Sequence, residues 1–211
     1  RLPAVVHWGA DLGATTAADL ETMARAAVEP IVPNVADDPI RLAILPEAHT
    51  SWTGKPGIAG HRSGADWSPS FRVTAATVDG SPVPAGSEGH PGSAAHGPAL
   101  VHVDAVDDVA GLGLAVDVEL LPSGLVRTRA QLTNAGAGIY DLEGITPALP
   151  IPPEAREVLD FAGRWGKERT PQRRELVVGT HERDSRKGRT GADAPDLTAW
   201  SGNHRHFAER L

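Results

Sequence analysis

The stretch "HRSGAD", from His61 to Asp66, sets Ser63 between a histidine and an aspartate. These are the three side-chain types of a serine nucleophile, its base and its orienting acid. Such triads assemble in space rather than along six residues, and the chain has no G-x-S-x-G elbow; a glycine-containing turn is the stronger reading. The pair His204 and His206 in "NHRH" would point the same way on a strand and could hold a metal. No carboxylate stands at ligand spacing beside it, and a terminal surface pair is the plainer account. His90 and His96 lie in a Gly/Pro-rich stretch. No metal and no other cofactor is therefore expected. "GLGLA" and "GRTGADAP" lack the spacing of the phosphate-binding glycine motifs. Gly188 to Gly191 still reads as a tight basic turn whose N–H groups could meet a ligand's oxygens. The acidic pairs Asp37–Asp38 and Asp107–Asp108 fall in turn contexts and are expected to be solvated.

The stretch from Gly163 to Gly191 holds nine of the chain's 20 basic residues. The whole chain nonetheless carries a formal net charge of -7, so general attraction to nucleic acid or to an anionic membrane is not expected. A nucleic-acid patch would interleave its basic residues with aromatics; this one offers only Trp165, and Glu168, Glu175, Glu182 and Asp184 partly neutralise it. Two further readings stay open: a ladder of cross-strand Arg–Glu pairs, and a turn whose Arg and Asp meet a polar ligand. With no cysteine among the 211 residues there is no disulfide framework, which fits a reducing cytosol. No apolar run approaches a membrane span, and no signal peptide is recognisable at the start.

Strands must position most of these residues. "LAVDVELLPSGLVRTRAQLTN" alternates apolar and polar residues on both sides of Pro122-Ser123-Gly124. Leu114, Val116, Val118 and Leu120 share one face, and Asp117 and Glu119 the other, which predicts an antiparallel meander buried on one side. Further strands are expected in Leu2–Gly9, Ile40–Glu47, Phe71–Gly80 and Arg173–Arg183. Two short helices are expected: Thr15–Val28, capped by Thr16 with Leu20, Met23, Ala24 and Ala27 on one face, and Pro152–Ala162, with proline at its start. Gly54–Pro69 and Gly80–Pro98 read as loops. The spacing favours an all-β sandwich in one domain over residues 1–211.

Four ordered stretches carry a family resemblance: "LPAVVHWGADLG", "ILPEAHTSWTGKPGIAGHRSGADWSPSF", "GRWGKERTPQRRELVVGTHERDSRKGRTGADAP" and "WSGNHRHFAERL". Together they resemble the N-terminal domain of the family 36 glycoside hydrolases, the bacterial and fungal α-galactosidases. The resemblance spans essentially the whole chain. It implies a large antiparallel β-sandwich of the galactose-mutarotase-like supersandwich type, preceding a (β/α)8 barrel.

Family members release terminal α-linked galactose with retention, which uses two closely spaced carboxylates. In the family both are barrel aspartates, the nucleophile within a K-W-D motif. This chain has no K-W-D and no room for a barrel, so the resemblance implies a non-catalytic domain that acts with the barrel, in a homo-oligomer, on an α-galactoside. By motif position the substrate-binding candidates are Trp52, His61, Arg62 and Asp66 in one loop and Arg189, Thr190 and Asp193 in another. The tryptophan would stack on a sugar face, and the Arg and Asp side chains would bind hydroxyls. A free-standing carbohydrate-binding module is the alternative. The sequence departs from the family pattern in one place: only "DLTA" separates Pro195 from Trp200, where the family carries a longer strand-forming segment. The family's domain also continues past "ERL", so a domain incomplete at its C-terminal end is expected.

Overall fold

The computed structural model describes residues 2–9, 11–26, 42–50, 52, 54–83, 97–151, 155–164, 166–177, 179–183 and 197–201. Outside them fall Ala27, Val28, Asp37, Asp38, His90, His96, Trp165, His204 and His206. The chain divides into two compact units, Arg1–Pro150 and Ile151–Leu211.

In the first unit α1 (Ala17–Ala26) begins at a reciprocal cap. The Thr16 hydroxyl accepts the Asp19 N–H at 3.2 Å, and the Asp19 carboxylate accepts the Thr16 N–H at 2.8 Å. The Thr16 hydroxyl, which donates to the Asp19 carboxylate at 2.7 Å, and then the Thr16 N–H hold that carboxyl below the usual range. Leu20, Met23 and Ala24 form the less exposed face, as expected. After a 3-10 turn at Ala48–Thr50 come β1 (Ile58–His61), β2 (Arg72–Val78), β3 (Ser81–Pro82), β4 (Ala99–Asp107), β5 (Leu112–Leu120), β6 (Val126–Asn134) and β7 (Asp141–Ile145). Strands β3-β2-β4-β5-β6 form a five-stranded antiparallel sheet, and β1 pairs with β7.

The meander is as expected. Leu112, Leu114 and Val116 of β5 and Val103 and Ala105 of β4 turn inward, while Asp117 and Glu119 lie opposite Arg129 and Arg127 of β6. The turn after β2 runs through Asp79 and Gly80, both at positive φ (48° and 78°), which suits a two-residue hairpin. The sheet's inner face packs against Leu2, Leu45, Ile58 and Phe71, so the β1–β7 ribbon and the entering chain cover it.

Two expected strands are not regular. Leu2–Gly9 and Ile40–Glu47 meet in a single bridge, Ala4 to Ala43, with Ile40 and Arg41 outside the described residues. Pro3 and Pro46 have no N–H to give a ladder, and each instead accepts one bond, from Ile44 and Gly57 at 2.8 and 2.7 Å. Conversely, Gly54–Pro69 is not all loop, since it contains β1. A Cβ on Gly57 would lie 2.5 Å from the Leu45 Cα, and one on Gly60 2.7 Å from the Asp141 carbonyl oxygen. The glycines here serve close backbone approach, not looseness.

The second unit holds β8 (Glu157–Arg164), β9 (Lys167–Glu175), β10 (Gly179–Arg183) and β11 (Leu197–Ser201). β8 takes the place of the helix expected over Pro152–Ala162. Its pattern has period two: Val158, Asp160 and Ala162 are the more buried, Leu159 and Phe161 the exposed positions. The strand expected over Arg173–Arg183 is likewise divided, its ends lying in β9 and β10. β9 pairs with β8, and β10 pairs with β11. Acidic partners on β8 draw Arg173 and Arg174 toward it: Arg173 meets Glu157 at 2.6 Å, and Arg174 lies 4.0 Å from Asp160.

Candidate functional site

"HRSGAD" folds as a turn rather than a triad. Arg62 and Ala65 exchange both backbone hydrogen bonds, at 2.8 and 2.9 Å. Ser63 and Gly64 between them sit at φ 51° and 85°, the conformation of a two-residue primed turn. His61 accepts the Gly64 N–H at its Nδ1, 3.3 Å away. Asp66 follows at φ 55°, a strained value for a non-glycine residue.

Arg62 organises the surroundings. Nη1 donates to the carbonyls of Ala137 and Gly138 at 2.7 and 3.0 Å. Nη2 donates to the Ala110 carbonyl at 3.0 Å and to Asn134 Oδ1 at 2.9 Å. Nε lies 3.4 Å from the Asp66 carboxylate. The guanidinium also stands 5.8 Å from the centre of the Tyr140 ring, within cation–π range, and the Tyr140 hydroxyl donates to the Asp66 carbonyl at 3.4 Å. Burial pushes the Tyr140 phenol above its ordinary value. All five guanidinium N–H groups face an oxygen of the chain itself. Gly136 leaves room for this, because a Cβ there would lie 2.8 Å from Nη2.

The other candidates of this loop are held nearby in sequence. The Trp52 indole N–H donates to the Lys55 carbonyl at 2.9 Å, and its ring lies over Gly54. Arg189, Thr190 and Asp193 lie outside the described residues. Sequence reasoning passed over Trp67, which follows Asp66 and is 65% exposed. Its signal was present: a large aromatic in a polar Gly/Ser/Pro turn has no periodic apolar neighbours to pack with.

Two carboxylates behind the turn are buried. Glu47 Oε1 accepts the Phe71 N–H at 2.8 Å, and burial raises its carboxyl above the usual range. Asp107, expected to be solvated, is 7% exposed; it takes backbone N–H groups from two segments, which is why it can be buried. Asp108 is exposed and pairs with Arg72 at 2.9 Å. In the second unit His181 Nε2 lies 2.9 Å from the buried Asp160, and Arg174 Nη1 lies 3.2 Å from His181 Nδ1. A guanidinium only donates, so Nδ1 accepts and Nε2 carries the proton toward Asp160. Among the described residues no three histidine or carboxylate side chains converge to hold a metal ion, and no described helix is long and apolar enough to cross a membrane.

The profile of the glycosyl hydrolase family 36 N-terminal domain matches residues 1–199. The chain belongs to this family. It is 28% identical over 224 residues to the α-galactosidase of Escherichia coli, an alignment covering 97% of this chain and 28% of that protein. The family 36 α-galactosidase AgaA of Geobacillus stearothermophilus superposes with a TM-score of 0.67 at 18% identity, over 90% of this chain and 27% of the enzyme. AgaB of the same organism superposes with a TM-score of 0.58 at 17% identity, over 80% of this chain and 24% of the enzyme. The all-β antiparallel architecture with few helices is thus that of the family's N-terminal domain. The chain spans about a quarter of the length of the relatives it matches.

Proposed function

We propose that this domain serves an α-galactosidase, acting with a catalytic barrel and in a homo-oligomer, and that its Arg62–Trp67 segment helps to form the substrate mouth. The observation that carries the second part is Trp67. A tryptophan 65% exposed stands beside Asp66, on a turn that five guanidinium contacts hold in shape. An exposed indole on a fixed turn suits the face of a sugar ring, and a neighbouring carboxylate suits its hydroxyls.

Within this reading the candidates divide by what they already touch. Arg62 shapes the segment, since its donors are engaged by the chain itself. Trp52 and His61 steady their own turns. Trp67 faces outward, Asp66 shares its carboxylate between Arg62 and a galactoside hydroxyl, and Arg189, Thr190 and Asp193 remain proposed ligands. Substituted variants of AgaA have been crystallised with raffinose and with stachyose, which makes raffinose a suitable probe. In the full-length protein, Trp67→Ala should raise KM for raffinose about tenfold or more, the loss of one stacking contact. Unchanged raffinose kinetics would remove Trp67 from the mouth. Raffinose binding by the isolated chain, lost in Trp67→Ala, would instead favour a free-standing carbohydrate-binding module.

A further inference from the structure

We infer that Asp107 is the positioning residue that fixes the Asp66–Trp67 segment. The functional weight of this rests on reading that segment as part of a substrate mouth. Asp107 closes β4. Its Oδ2 accepts the Ser70 N–H at 2.7 Å, and its Oδ1 accepts the N–H groups of Val109 and Ala110, each at 2.9 Å. One buried carboxylate thereby ties the downstream end of the 62–70 segment to the turn between β4 and β5.

The upstream end reaches the same turn by another route, because Arg62 Nη2 donates to the Ala110 carbonyl at 3.0 Å. Ala110 thus offers its N–H to Asp107 and its carbonyl to Arg62. Asp66 and Trp67 lie between these two footholds. Glu47 adds a grip one residue on, at the Phe71 N–H. Asp107 contacts neither Asp66 nor Trp67 through any of these bonds, so its effect on them passes through the backbone of Ser70 and the Val109–Ala110 turn.

Both carboxylate oxygens are required. An asparagine has one acceptor oxygen, and its NH2 only donates. It can serve Ser70 or the Val109–Ala110 turn, but not both.

The test uses the full-length protein labelled with 5-fluorotryptophan, the Trp67 signal being the one lost in Trp67→Phe. In Asp107→Asn the Trp67 fluorine resonance should shift or split while that of Trp52 stays in place, and KM for raffinose should rise about tenfold with kcat within about twofold. A Trp67 resonance that does not move overturns the inference. A resonance that moves without any change in KM supports Asp107 as the positioning residue and removes the mouth reading instead. A second measurement needs no variant. The amides of Ser70, Val109 and Ala110, held by one side chain, should exchange with solvent through a common opening; opening of Ser70 independent of the other two contradicts the inference.

Discussion

Arg62 Nε lies 3.4 Å from the Asp66 carboxylate, across the tight turn that separates the two residues. The remaining four N–H groups of that guanidinium reach three backbone carbonyls and one asparagine side chain, 48 to 76 residues away in sequence. A local ion pair is thereby joined to the far ends of β4 and β6.

Arg62→Ala should therefore destabilise the first unit by about 1–3 kcal/mol, since the part-buried Ala110 carbonyl loses a charged donor. Arg62→Lys should recover little of it, because a single ammonium cannot reproduce a planar fork. Urea denaturation of the purified chain measures both. A loss below about 0.5 kcal/mol for Arg62→Ala, the range of ordinary surface substitutions, would show the hub to be unimportant.

Gly57 and Gly144 offer a matched pair on the two strands of the β1–β7 ribbon and its approach. A Cβ on Gly57 meets the Leu45 backbone at 2.5 Å, whereas one on Gly144 meets nothing within 4 Å. Gly57→Ala should cost about 2–3 kcal/mol through overpacking. Gly144→Ala should be neutral or stabilise by a few tenths, through the unfolded chain. Thermal melts of the two variants side by side check the contrast, and equal melting temperatures contradict it.

His102 faces carboxylate acceptors on both sides, with Nδ1 at 2.6 Å from Asp117 and Nε2 at 3.3 Å from Asp104. Only the imidazolium has two N–H groups to satisfy both, and the hydrogen bond to Asp117, ahead of the charge of Asp104, raises the histidine above its ordinary value. A raised folded-state value means stabilisation present in full below the unfolded histidine's range, near pH 6.5, and lost as pH rises through the folded value. Wild-type stability should accordingly fall over that interval, and the fall should flatten in Asp117→Asn. Equal pH slopes for the two proteins would contradict the assignment.

The central meander was legible because β4, β5 and β6 each bury one face and alternate residue by residue. The start of α1 was legible because Thr16 is a capping residue placed just ahead of the helically spaced Leu20, Met23 and Ala24. Less could be read where burial is polar. Asp160 sits inward on β8 against His181, which broke the apolar pattern of that strand and let the sequence that begins with Pro152 pass for a helix. Asp107 looked like a solvated turn residue because its partners, Ser70 and Ala110, are backbone groups that leave no trace in side-chain chemistry. Glycines 57 and 60 looked like loop punctuation, although their role is to let β1 approach Leu45 and Asp141. At the candidate site the motif "HRSGAD" marked a glycine-containing turn, and a turn is what forms there. It could not show that Arg62 faces inward to the sheet ends while Trp67 faces out.

Exposed Trp67 and its neighbour Asp66 carry the functional account, and a structure of the full-length assembly with raffinose bound tests it most directly. The predicted result is a sugar ring of the bound raffinose in contact with Trp67 or Asp66, with heavy atoms within about 4.5 Å. Bound raffinose with both residues far from every sugar ring, facing bulk solvent or packed on protein alone, would contradict it.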